Sequence, residues 1–209
     1  MSAKGVHQSR SKSNDIIYTP KPLAERIIQM TAIQPHEVVL DPCRGGGVFY
    51  DNLPPCHKYY CEITEGKDFY GWHMPVDVVI GNPPYSQWTK WLAHTLTICK
   101  KRFCYVFGAN SLTGNRIQMI HDAGFGITKI HSCKVAWWMT QSLIIVAEKG
   151  ASSIMTSEPI INCEHCGTMC GRGIFGNPPN ECNREKKDLA KKLLKEMKKV
   201  NDEKKLYTK

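Results

Sequence analysis

The chain has 209 residues, 42% of them hydrophobic and 22% charged, with a net charge of +9. That is ordinary for a soluble globular protein and enough for one sizeable core plus a small appendage. No apolar run approaches the about 18 residues of a membrane span, and the polar, basic N-terminus lacks the apolar stretch of a secretory signal. The expected location is therefore intracellular, in cytoplasm, nucleoid or nucleus.

Residues 1–14 read as a disordered basic tail. Tyr18-Thr19-Pro20 leads into a helix over 22–30, with Thr19 suited to the N-cap, prolines in the first turn, and Leu23, Ile27 and Met30 on one face. Glu37 to Leu40 reads as a short apolar strand. It runs into Asp41-Pro42-Cys43-Arg44-Gly45-Gly46-Gly47 and then Val48-Phe49-Tyr50. A strand, a glycine-rich turn and a helix start make a nucleotide-type cradle, because glycines let a ligand approach the backbone closely. It is neither the full dinucleotide fingerprint nor a phosphate loop, since no Gly-Lys-Ser/Thr follows. Lys58 to Glu62 reads as the next strand. It ends in an acid about 20 residues after the glycines, the spacing of a ribose-hydroxyl acceptor; a chance surface glutamate is the alternative. Asp68-Phe69 sets an acceptor beside a ring, a pair that suits an adenine moiety.

Val76 to Ile80 is an apolar run bounded by Pro75 and Gly81, a buried strand. Asn82-Pro83-Pro84-Tyr85 follows at its carboxyl end, where open α/β sheets place their chemistry. These residue types suit the activation of an exocyclic amine. The N6 amine of adenine is a poor nucleophile because its lone pair is delocalised into the ring. The Asn82 side-chain oxygen can accept one hydrogen of that amine, and a carbonyl of the rigid Pro83-Pro84 step the other. Two acceptors favour tetrahedral geometry and aim the lone pair at an electrophile, while Tyr85 supplies a ring for stacking. Gly176-Asn177-Pro178-Pro179 repeats the string, with Asn180 in place of the tyrosine. It follows no apolar strand and reads as a loop.

Trp88, Trp91, Leu92, Leu96 and Cys99 recur at helical spacing, which predicts an amphipathic helix over 87–100. Phe103 to Phe107 is the next strand, and residues 116–123 form a helix stopped by Gly124. Ile127 to Ile130 and Ser142 to Ala147 read as a closing pair of strands. Between them, Trp137 and Trp138 either fill a core gap or wall the tetrapeptide as a base-stacking surface.

Residues 149–160 read as a linker. Beyond it, Cys163, Cys166, Cys170 and Cys182 put four thiols within 20 residues. With no secretory signal, the ten cysteines are expected as thiols or metal ligands rather than disulfides. The cluster suits a closed structural zinc site, with His165 a competing ligand. Arg184 to Val200 reads as a Lys-rich helix, dry along Leu189, Leu193, Met197 and Val200. About two thirds of the net charge lies after Asn183, which points to a polyanionic partner. The segment 161–209 is thus a zinc knuckle plus a basic helix.

Taken in order, these motifs resemble the amino-group DNA methyltransferases that use S-adenosylmethionine, in particular the N6-adenine class in its gamma arrangement. The resemblance covers residues 16 to about 148 and implies a domain over 15–148. Its fold would be α/β, a Rossmann-like class I methyltransferase sheet, shortened because only about 20 residues separate Glu62 from Asn82. It implies that Tyr18, Thr19, Pro20, Asp41, Pro42, Gly45, Gly47, Glu62, Asp68 and Phe69 bind the cofactor. Asn82, Pro83, Pro84 and Tyr85 would be catalytic, and Trp137 or Trp138 would pack on a flipped base. The expected reaction is direct transfer to adenine N6 in DNA after base flipping. The same chemistry on RNA, a protein-glutamine methyltransferase, and a non-catalytic zinc-bearing nucleic-acid binder are the alternatives. Residues 149–209 are too few for the large recognition domain of the family, and the knuckle and basic helix are expected to stand in for it.

Overall fold

The computed structural model describes residues 17–138, 140–157, 188, 191, 192 and 195. The chain divides into two compact units, Met1–Ser157 and Glu158–Lys209. In the second unit the four described positions are helical, and Asp188 and Lys191 lie 3.9 Å apart on that helix. The four clustered cysteines, His165 and the second Asn-Pro-Pro string lie outside the described residues.

The first unit is a three-layer α/β/α body. Its elements are α1 (Lys21–Thr31), β1 (Val38–Asp41), β2 (His57–Tyr60), β3 (Val76–Gly81), α2 (Trp88–Ile98), β4 (Cys99–Gly108), α3 (Gly114–Asp122), β5 (Phe125–Cys133) and β6 (Ser142–Lys149). The sheet runs in the order β2-β1-β3-β4-β6-β5. The pairs β1–β2, β1–β3 and β3–β4 are parallel, and β6 is antiparallel to both β4 and β5.

Both faces of the central strands are covered, so these strands read as continuous apolar runs rather than alternating ones. On β4, Phe103, Tyr105 and Phe107 point to the side of α2 and α3, where Trp88, Trp91, Leu92, Ile117 and Ile120 meet them. Cys104 and Val106 point to the other side, against Ala24 and Ile27 of α1, with Val78, Ile80, Ile144 and Val146 beside them. Each large side chain buried this way contributes about 1.5–3 kcal/mol.

Three local expectations are corrected. The N-cap of α1 is Pro20, and no side chain caps it; Thr19 bonds elsewhere. The glycine loop opens not into an α-helix but into a single 3-10 turn, Tyr50–Asn52. The following Leu53-Pro54-Pro55 disfavours helical backbone and ends it. The second helix stops at Ile98, and Cys99 and Lys100 already belong to β4. The shortening between Glu62 and Asn82 is present: two one-turn 3-10 helices, Ile63–Glu65 and Phe69–Gly71, carry the chain from β2 to β3. Among the described residues no helix is long and apolar enough to cross a membrane.

Candidate active site

The parallel strands β1 and β3 deliver Asp41 and Asn82 side by side at the carboxyl edge of the sheet. Asn82 is held by its amide nitrogen, which donates to the Ile17 carbonyl at 3.0 Å and to the Thr19 hydroxyl at 3.2 Å. Two acceptors on the nitrogen side fix the orientation of the amide. Its oxygen, Oδ1, is buried and has no hydrogen-bond partner. A buried acceptor left unpaired costs about 1–3 kcal/mol and asks for a donor. The Asn82 backbone carbonyl accepts from the Cys43 thiol at 3.2 Å, which ties the tetrapeptide to the glycine loop. Burial, and then the Asp41 charge, push that thiol well above its usual range, so it stays a neutral donor.

Pro83 is buried, and Pro84 precedes a 3-10 turn over Tyr85–Gln87. The Pro84 carbonyl accepts from Gln87 N–H at 3.3 Å. The Tyr85 ring packs against the α2 side of the core. Its hydroxyl makes no well-formed hydrogen bond; burial raises its pKa to about 12 against the opposing influence of the nearby Ser142 hydroxyl.

Asp41 is fully buried. One carboxylate oxygen accepts from Cys43 N–H at 3.2 Å, and the other has no well-formed partner. Burial raises its pKa to about 7, although the Cys43 and Tyr50 backbone N–H groups and Arg44 pull the other way. Pro42 begins the glycine loop, in which Gly45 and Gly47 take φ of +50° and +84°. A Cβ on Gly47 would also run into the Asp51 carboxylate. Tyr18, 64% exposed, lies over the loop with its ring within contact of where side chains at Gly45 and Gly46 would begin. Pro20, beside it, gives its carbonyl to the first N–H groups of α1.

Glu62 reaches back to this loop. One oxygen accepts from Gly45 N–H at 2.8 Å, the other from the Thr64 backbone and hydroxyl at 3.0 and 2.7 Å. Burial would raise its pKa, but these bonds and the Arg44 charge outweigh it and hold the group ionised. Asp68 accepts from Tyr70 N–H at 3.0 Å. Phe69 is only 2% exposed, its ring 4.3 Å from that of Trp91. Of the two tryptophans, Trp138 is 5% exposed and belongs to the α1-side core, whereas Trp137 is 70% exposed. Their loop joins the rim where Ala109 N–H, just past β4, donates to the Gln141 carbonyl at 2.8 Å.

The structure thus brings Tyr18, Thr19, Asp41, the glycines, Glu62 and Asn82 together, and places Phe69 and Trp138 in the core. The Ile17 carbonyl and the Cys43 thiol, both bonded to Asn82, were not foreseen. A backbone carbonyl carries no sequence signal, and the only hint for Cys43 was its place in the glycine loop. Among the described residues no group of His, Cys, Asp and Glu could hold a metal ion.

No protein-family model matches the chain, and no curated protein matches it. Solved structures do. The chain resembles the M protein of the type I restriction enzyme EcoKI (TM-score 0.53, 16% identity, 64% of this chain and 44% of that one). It also resembles the 23S rRNA methyltransferase ErmE (TM-score 0.52, 15% identity, 68% and 73%). A third is magnesium protoporphyrin IX methyltransferase from Synechocystis PCC 6803 with bound S-adenosylmethionine (TM-score 0.51, 14% identity, 62% and 79%). At these identities the likeness establishes the fold, a Rossmann-like methyltransferase sheet.

Proposed function

We propose that the protein is an S-adenosylmethionine-dependent methyltransferase acting on the N6 amine of adenine in DNA. The observation that carries the reading is the Asn82 side chain, anchored by its nitrogen with its buried oxygen unpaired. Such an oxygen is preorganised to accept one hydrogen of an amine. Because Gln87 occupies the Pro84 carbonyl, the second acceptor is assigned to Pro83. Tyr85 and Trp137 border the amine as ring surfaces, with Trp138 supporting Trp137 from the core.

The residues also fit the cofactor. The unpaired oxygen of buried Asp41 suits a cationic or N–H group. The open backbone of the glycine loop admits close approach, and Glu62 and Asp68 supply acceptors beside it. Tyr18, Thr19, Pro20, Pro42, Gly45, Gly47 and Phe69 complete the proposed pocket. When bound, the cofactor supplies an electrophilic methyl group. The chain's own part is to grip the amine, aim its lone pair and exclude water, without a covalent enzyme intermediate. Cys163, Cys166, Cys170 and Cys182 are the proposed ligands of a structural zinc ion.

Incubation with methyl-labelled S-adenosylmethionine and DNA, RNA or peptide acceptors, followed by nucleoside mass spectrometry, tests the reading. Label recovered as N6-methyladenine in DNA is the expected result. Label on RNA adenine moves the substrate, and label on a glutamine overturns the nucleic-acid assignment.

A further inference from the structure

We propose that nucleic acid reaches the site along the seam between α1 and β5, its phosphates held by Arg26, Lys129 and Lys134 with His131 between them. The inference rests on the reading above and adds to it the surface that binds the polymer.

The first observation is a charge asymmetry. From Ala123 to Ala147 the chain contains no Asp or Glu, so the charges on β5 and the rim loop are those of Lys129 and Lys134, and β6 carries none before Glu148. The acid on α1, Glu25, faces Lys21 at 3.9 Å. On the opposite edge two of the cations are neutralised, Arg44 by Asp51 and Glu65 and Lys67 by Glu65, while Lys58 donates to the Tyr50 carbonyl.

The second is how the seam cations are held. Arg26 Nη1 lies 3.3 Å from His131 Nε2. Lys129 donates to the Met30 carbonyl at 2.8 Å, and Lys134 to the Trp138 carbonyl. Each is fixed by a neutral acceptor, has no carboxylate partner among the described residues, and keeps further N–H donors for a phosphate. A charge held in place but not neutralised costs little further ordering when an anion binds.

The third is position. Lys129 to Lys134 spans five residues of extended chain, roughly 16 Å at about 3.3 Å each. A strand of a DNA duplex advances about 3.4 Å per nucleotide along the axis, so the seam covers about five nucleotides of such a strand. It ends at the loop that carries Trp137 and meets the rim at Gln141. A strand laid along it is delivered to Asn82.

The test compares two double variants of the full chain, K129Q/K134Q on the seam and K90Q/K100Q at exposed lysines elsewhere. Binding to a labelled DNA oligonucleotide, single-stranded and duplex, and to RNA of the same sequence is titrated over a range of salt. The seam variant is expected to bind at least tenfold more weakly at 0.1 M salt. Its salt slope should fall by about 1.8, the loss of two phosphate contacts. K90Q/K100Q should stay within about threefold of the parent. K129R/K134R should bind like the parent, which separates charge from folding, and S-adenosylmethionine affinity serves as the fold control. Equal losses in the two glutamine variants, or none in the seam variant, overturn the proposal and leave the methyltransferase reading standing. A parent protein that binds neither nucleic acid, yet methylates a peptide, overturns the reading itself and the seam with it.

Discussion

Asn82 and Asp41 each keep one buried oxygen without a firm partner, and they differ in what that does to the free protein. Asn82 is neutral, so its orphan oxygen costs the same at every pH. Replacing it by alanine removes the acceptor and the two anchoring bonds but no charge. The expected outcome for Asn82→Ala is a fall in kcat of about 10²–10³, with the dissociation constant for S-adenosylmethionine changed less than about threefold by calorimetry. Asp41 titrates. Its folded pKa of about 7 lies above its ordinary 3.8, so between those values the native state binds more protons than the unfolded chain. Stability must then fall as pH rises through that window and stay low above it. Asp41→Asn should therefore raise the melting temperature of the ligand-free protein at pH 8, by up to roughly 4 kcal/mol of stability. The advantage should shrink to nothing towards pH 4. The same substitution should weaken cofactor binding, and an Asn variant that melts earlier than the parent at pH 8 would remove the buried charge from the account.

At the scale of elements, Arg102 fastens the end of α1 to the amino edge of the sheet. Arg102 on β4 donates to the Thr31 and Ala32 carbonyls at 2.7 and 2.9 Å, satisfying the end of α1. It also pairs with Glu37, which is 3% exposed, at 2.5 Å. Burial alone would raise the Glu37 pKa, but the Arg102 and Gln34 bonds and the Arg102 and Lys101 charges bring it below 4.5. That contribution is present above the unfolded pKa and lost as pH falls through the folded one. Arg102→Ala leaves the buried carboxylate with only the half-exposed Lys101, 3.5 Å away, as a charged partner, so a loss of up to about 3 kcal/mol is expected in denaturant melts near pH 7. The loss should shrink as pH falls through the lowered folded pKa of Glu37 and the carboxylate takes up its proton. What the sequence made legible follows the same physics. The strands β1, β3, β4 and β6 were readable because burial on both faces leaves continuous apolar runs. The boundary between α2 and β4 was not, because a buried helical face abuts a buried strand with no Gly or Pro between Ile98 and Cys99. Asp41, the glycines and Asn82 could be found because their chemistry is written in contiguous residues. The Ile17 carbonyl that orients Asn82 lies 65 residues away and offers only a peptide oxygen.

At the scale of the molecule, the boundary of the first unit falls later than the composition suggested. The small polar stretch after β6 is docked on β5: Ile127 N–H donates to the Ser153 hydroxyl at 3.1 Å, and Ile154 N–H to the Ile127 carbonyl at 2.8 Å. Gly126 leaves no room for a side chain because the Ala151 backbone lies against it. Farther along, the Ser157 hydroxyl donates to the Gly114 carbonyl at 3.2 Å. A chain ending at residue 149 would thus expose the β5 edge and lose these bonds, whereas one ending at 157 keeps them. The 1–157 form is expected to melt cooperatively and to bind S-adenosylmethionine within about threefold of the full chain, and the 1–149 form to melt several degrees lower. The 1–157 form has shed the second unit, which carries +4 of the net +9 and the proposed zinc ligands. If that unit supplies part of the grip on DNA, the shorter form should bind DNA more weakly, with a shallower dependence on salt. Chelation of the full chain should move binding in the same direction and release about one zinc ion per chain, measured by a metallochromic dye. Unchanged DNA affinity in the 1–157 form would leave the whole of recognition to the first unit and its α1–β5 seam.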